Sequence, residues 1–121
     1  MNKPTMIIGA SHKPDRYANK AQRLLKEFGH TTVPINPIQD EILGDTVFKK
    51  PSDYQGDVDT VTLYVRPERL EPILDEIISL KPKRVIFNPG TEDSAMQQRV
   101  SSAGIEALEA CTLVMLHSDQ Y

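Results

Sequence analysis

An α/β fold, with helices covering both faces of a parallel sheet, follows from three features of this 121-residue sequence. Short apolar runs alternate with segments whose apolar residues recur at helical spacing. The runs are apolar on consecutive residues, the form of strands buried on both sides. Brief loops containing Gly, Pro and Asn join the pieces.

The elements follow in order. Thr5-Met6-Ile7-Ile8 is the opening strand, closed by Gly9. After the polar stretch from Ala10 to Arg16, the apolar positions Tyr17, Ala18, Ala21, Leu24, Leu25 and Phe28 mark one face of a helix. Asp15 or Ser11 is the expected cap at its start, and Gly29 the expected stop. Thr31 to Ile35 reads as the second strand, although Pro34 inside it has no amide to give a ladder. Residues 38 to 57 read as irregular. Val58 to Val65, rich in Val, Thr, Leu and Tyr, is the clearest strand. A helix follows Arg66-Pro67, with Leu70, Ile73, Leu74, Ile77 and Ile78 on one face, and it tolerates Pro72 only in a first turn. Arg84 to Phe87 is the fourth strand and ends in Asn88-Pro89-Gly90. Thr91 is the expected cap of a third helix, with Glu92 and Asp93 in its first turn and Gly104 as its stop. Ile105 to Ala110 reads as the fifth strand. Thr112 to Leu116 fits a strand or a short helix. The sum is one domain over residues 1–121, a Rossmann-like doubly wound parallel sheet of five strands with the expected order 3-2-1-4-5.

The net charge of −3 gives the surface no general attraction for nucleic acid or an anionic membrane, so a basic site must be local. A single Cys excludes an internal disulfide and suits a reducing compartment. The opening apolar stretch is too short for a signal-peptide core, and cytoplasm is the expected location. Exposed edge strands are compatible with a homodimer.

In an open parallel sheet, ligands bind at the carboxyl ends of the strands. The loops there are Gly9-Ala10-Ser11-His12-Lys13, Ile35-Asn36-Pro37, Val65-Arg66-Pro67 and Asn88-Pro89-Gly90. Gly9 permits a sharp turn and close approach of the backbone. The helix start beyond it offers amides and a partial positive charge to an anion, with Ser11, Lys13, Arg16 and Lys20 around the same end. The third helix opens on Glu92 and Asp93, which repel an anion. If this fold binds a diphosphate, it does so at the first helix; the alternative is that Lys13 and Arg16 are ordinary solvated charges. The G-x-G-x-x-G fingerprint is absent, and Asn36 stands where an NAD-binding fold places an acid on the ribose, so NAD and FAD are disfavoured. No Walker-type pattern supports nucleotide hydrolysis.

At these residues the chain resembles the small stand-alone CoA-binding proteins, which are similar to the nucleotide-binding domain of the succinyl-CoA synthetase α subunit. The resemblance covers nearly the whole chain. It rests on Ile8-Gly9-Ala10-Ser11 with Lys13-Pro14 and Tyr17, Gly29-His30-Thr31, Val33-Pro34-Ile35-Asn36-Pro37 and Ile42-Leu43-Gly44. Further on it includes Val58-Asp59-Thr60-Val61, Asn88-Pro89-Gly90-Thr91-Glu92 and Ala103-Gly104-Ile105 before Cys111. The resemblance implies coenzyme A across the carboxyl ends of the strands, with its diphosphate over Gly9, Ala10 and Ser11. It makes Lys13 and Arg16 candidates for phosphate charge, places Asn36 and Pro37 beside the adenosine, and sets Arg66, Asn88, Pro89 and Gly90 along the diphosphate or pantetheine. Many members of the family carry a more apolar residue where this chain has Asn88.

No catalytic constellation and no metal-ligand spacing emerge. Cys111, between an apolar strand and Thr112-Leu113-Val114, reads as a packed core thiol; the alternative is an enzyme using an acyl-CoA, with Cys111 or His12 taking part. A further alternative is an adaptor whose cleft is empty. His30 reads as a turn residue, and His117 lies near a tail expected to be loosely ordered. The sequence reading is a non-catalytic module that binds CoA or an acyl-CoA.

Overall fold

The computed structural model describes all residues from Met1 to Tyr121. Five parallel strands, β1 (Thr5–Ile8), β2 (Thr32–Ile35), β5 (Thr60–Leu63), β6 (Arg84–Phe87) and β7 (Glu106–Glu109), form the sheet. Helix α1 (Tyr17–Glu27) links β1 to β2, and a small antiparallel hairpin of β3 (Glu41–Ile42) and β4 (Asp45–Thr46) follows β2. Helices α2 (Pro67–Leu70) and α3 (Leu74–Ser79) link β5 to β6, α4 (Ser94–Ser102) links β6 to β7, and α5 (Thr112–His117) comes last.

Alternation along the strands divides the core into two layers. Met6, Ile8, Val61, Leu63, Val85 and Phe87 pack with Leu70, Leu74, Ile77 and Val100, so α2, α3 and α4 cover one face. Ile7 packs with Ala18, Leu25 and Leu116, so α1 and α5 cover the other. The helices lie on both faces, as expected.

The strand order corrects the expectation. Counted along the chain, the sheet strands run 2-1-3-4-5, because the order is β2-β1-β5-β6-β7. Strand β1 pairs with β2 on one edge and with β5 on the other, Thr5 lying opposite both Thr32 and Thr60. The expected 3-2-1-4-5 needs the third strand outside β2. That edge is already used: Phe48 donates its amide to the Pro34 carbonyl at 3.0 Å, and Asn36 donates to the Phe48 carbonyl at 3.0 Å. Residue amides and carbonyls share a side in an extended strand, so the missing amide of Pro34 faces this same outer edge. A full parallel partner there would lack a donor. The proline is harmless to the pairing with β1 and unfavourable to a second neighbour.

Smaller corrections have local causes. Pro72 divides the expected second helix: a 3-10 turn over Glu71–Ile73 separates α2 from α3. The third helix is capped by Asp93, whose carboxylate accepts the Met96 amide at 3.0 Å, while Thr91 turns its hydroxyl onto the Asn88 carbonyl. Residues 112–117 resolve as helix. The stretch expected to be irregular contains the hairpin, turned at Leu43 and Gly44 with φ of 53° and 81°.

Candidate functional site

The order 2-1-3-4-5 places the topological switch between β1 and β5, where loops leaving the two strands diverge and open a crevice. Gly9 sits at its base with φ of +87°, and a Cβ there would meet the Val65 Cγ1 at 2.8 Å and the Tyr64 carbonyl oxygen at 3.0 Å. Glycine is required on both counts.

Three connected cavities follow this end of the sheet. The central one, about 280 Å³, is bounded by Gly9, Ser11, Arg16, Tyr17, Ala18, Arg66 and the Pro89-Gly90-Thr91 loop. Toward β2 it continues into a cavity of about 510 Å³ through shared Gly9, Arg16, Tyr64, Val65 and Arg66, adding Ala10, Asn36, Pro37, Lys49 and Arg69. Toward α5 it meets a cavity of about 410 Å³ through shared Tyr17, Tyr64 and Pro89, adding Asn88, Cys111, Leu113 and Val114. No Asp or Glu lines any of the three, in a chain that has 17.

The two helix starts differ in chemistry. The N-cap of α1 is Arg16, extended at φ −78° and ψ 143°, with no side-chain cap and no acid in the first turn; neither Asp15 nor Ser11 caps it. The first amides of α1 are thus left to an external acceptor, at the positive end of an 11-residue helix whose Tyr17 and Ala18 line the crevice. The α4 start is already satisfied by Asp93, and Glu92 accepts the Gly90 amide at 2.9 Å. The loop before α1 is held by side chains of the helix: Asn19 donates to the Ser11 carbonyl at 2.9 Å, and Arg23 donates to the Asn19 Oδ1 and to the Pro14 carbonyl.

The residues singled out in the sequence divide into groups. Gly9, Ser11, Arg16, Arg66, Pro89 and Gly90 meet at the central cavity. Ala10, Asn36 and Pro37 lie at the β2 side. Ala10 has its amide on the Ile35 carbonyl and its carbonyl on the Asn36 Nδ2, so it forms wall rather than donor. Asn36 spends its Oδ1 on the Ile38 and Gln39 amides and shapes the turn. Lys13 is exposed and lines none of the three cavities, its amide resting on the Ser11 Oγ at 3.1 Å. Asn88 is 2% exposed, and its side chain is fully engaged with Thr62, the Leu63 carbonyl and the Thr112 amide. It ties β5, β6 and α5 together beneath the apolar cavity. Cys111 is half-buried on that cavity rather than packed in the core, at the N-cap position of α5. His12 is exposed and faces none of the three cavities.

Sequence reasoning missed Tyr64 and the cations Lys49 and Arg69. Tyr64 borders all three cavities; burial pushes its phenol up to about 12, the nearby Thr62 and Thr112 hydroxyls offsetting this only in part. Those hydroxyls hydrogen-bond each other at 2.8 Å, and the Tyr64 hydroxyl meets no partner in hydrogen-bonding geometry. Its signal was available, since it leaves β5 one residue before the recognised Val65-Arg66 loop. Lys49 sits in a segment read as irregular, and only folding brings it round.

Comparison with known proteins agrees with this architecture. A family model described as a CoA binding domain matches residues 3–117. An uncharacterized protein of Bacillus subtilis, YneT, is 27% identical over 77 residues, 64% of this chain and 57% of its own. An ADP-forming acetate–CoA ligase of Methanocaldococcus jannaschii is 32% identical over 74 residues, 61% of this chain but only 10% of the ligase. Among solved structures, an uncharacterized protein superposes with a TM-score of 0.94 at 43% identity, covering 100% of this chain and 99% of that one. A Thermus thermophilus protein gives 0.90 at 26% identity, covering 98% and 90%. With the family model spanning all but the ends of the sequence, the chain belongs to the CoA-binding domain family.

Proposed function

We propose that this chain binds coenzyme A or an acyl-CoA across the carboxyl ends of the strands, as a binding module without catalytic chemistry of its own. The observation that carries this reading is the acid-free crevice at the β1/β5 switch, where Arg16 and Arg66 flank the uncapped start of α1. The diphosphate would lie over Gly9 and Ser11 on the first amides of α1, with Arg16 and Arg66 beside it. The larger cavity toward β2, with Asn36 and Pro37 on its wall and Lys49 and Arg69 at its edge, suits the adenosine and its 3′-phosphate. An acyl-CoA enzyme would use Cys111 or His12; Cys111 lines its cavity with no His, Asp or Glu beside it to act as a base, and His12 lines none of the three cavities, which favours binding over turnover. No helix is long and apolar enough to cross a membrane.

Calorimetry with CoA, ADP and NAD tests the reading. CoA should bind tightest, and at 100 times its Kd it should raise stability by about 2.7 kcal/mol. Arg16→Glu should weaken CoA at least about tenfold, the loss of one charge-assisted contact, while Glu92→Gln leaves it nearly unchanged. Equal effects of the two, or no heat with CoA, would overturn the proposal.

A further inference from the structure

The cavity toward α5 differs from its neighbours in chemistry. Its walls are Tyr17, Pro89, Cys111, Leu113 and Val114, with no charged side chain, whereas Arg16, Arg66, Lys49 and Arg69 all lie on the other two cavities. Tyr17 and Val114 are 68% and 62% exposed, a large apolar presence for surface positions. Asn88 on its wall has its hydrogen bonds inside the protein, which leaves the buried Tyr64 hydroxyl as the one unmatched side-chain polar group beside the cavity. The cavity therefore offers a ligand mainly apolar contact. It is also continuous with the cationic crevice through Tyr17, Tyr64 and Pro89. A groove that is cationic along one stretch and uncharged at its far end matches an amphiphilic molecule with an anionic head and an apolar tail.

We infer that this cavity takes the acyl group of a short-chain acyl-CoA thioester, so that the protein prefers the acylated cofactor to free CoA. The inference rests on the binding reading above, because the phosphates must occupy the crevice for the tail to arrive here. At about 410 Å³ the space falls within the range of ordinary ligand pockets. The shared wall of Tyr17, Tyr64 and Pro89 means that the tail enters without opening the core.

Isothermal titration of the full chain with CoA, acetyl-CoA, butyryl-CoA and hexanoyl-CoA tests it. Affinity should rise along the series by up to about fourfold per methylene buried. The double variant Leu113→Gln, Val114→Gln should bind free CoA as the parent does and lose the rise. Val114 is exposed and Leu113 partly so, and thermal unfolding of the variant checks that the fold is kept. If CoA binds but the series is flat, or if the double variant keeps the rise, the acyl pocket is overturned and the CoA reading stands. If CoA itself fails to bind, both fall. Sedimentation of the ligand-free chain supplies the remaining arm: a dimer that the double variant dissociates, together with a flat series, would assign this face to a second copy and overturn the proposal.

Discussion

Gly9 shows how much one residue can fix. Its φ of +87° costs an L-residue about 1–2 kcal/mol, and the added Cβ would press on the Val65 Cγ1 at 2.8 Å. Gly9→Ala is expected to lower the urea midpoint and, by shifting the Val65 loop, to weaken CoA as well. His30 offers a pH test at the opposite end of the sheet. Burial, reinforced by the charges of Lys3 and Arg84, holds its imidazole below the ordinary value of 6.5. Its Nδ1 accepts the Lys3 amide at 2.9 Å, and its ring packs 5.2 Å from that of Tyr121. Below pH 6.5 the unfolded chain binds a proton that the folded chain resists, so stability falls as the pH drops from that value. Denaturation of His30→Gln across this range should show a flatter dependence. The same cluster revises the tail: Tyr121 hydrogen-bonds Thr5 at 2.6 Å and lies 4.3 Å beneath the Arg84 guanidinium, so it is anchored rather than loose.

Among the elements, helix ends were legible where a single residue encodes them. Gly29 and Gly104 both follow a helix with positive φ, and the amides of His30 and Ile105 reach back to the Leu25 and Val100 carbonyls. The α4 start was misread by two residues, because Thr91 and Asp93 both belong to the set that favours the cap position. Asp93 has the extended backbone and the reach to the Met96 amide, while the Thr91 hydroxyl is spent on the Asn88 carbonyl. Asp93→Ala should cost about 1 kcal/mol, measured as a shift of the unfolding midpoint. The β3–β4 hairpin was missed because Leu43 stands at a position where Asn or Asp usually signals the turn.

At the scale of the whole molecule, Asn88 joins three elements. Its amide donates to the Thr62 hydroxyl at 2.7 Å and the Leu63 carbonyl at 2.9 Å, and its Oδ1 accepts the Thr112 amide at 2.9 Å. Asn88→Ala would strand buried partners on β5 and α5, and should destabilise by about 3 kcal/mol or more. Chemical denaturation measures the loss. The sequence by itself determined the alternation of strands and helices, the positions of most loops and the loop carrying Gly9, because periodicity, glycine and proline act over a few residues. Tertiary structure alone decided that β5 pairs with β1 rather than lying beyond β2, and with it that Arg69 and Lys49 border the site while Lys13 lines none of its cavities. The reason is that strand pairing is a competition between edges distant in sequence. It was settled here by the occupied outer edge of β2, and no segment read alone carries the result.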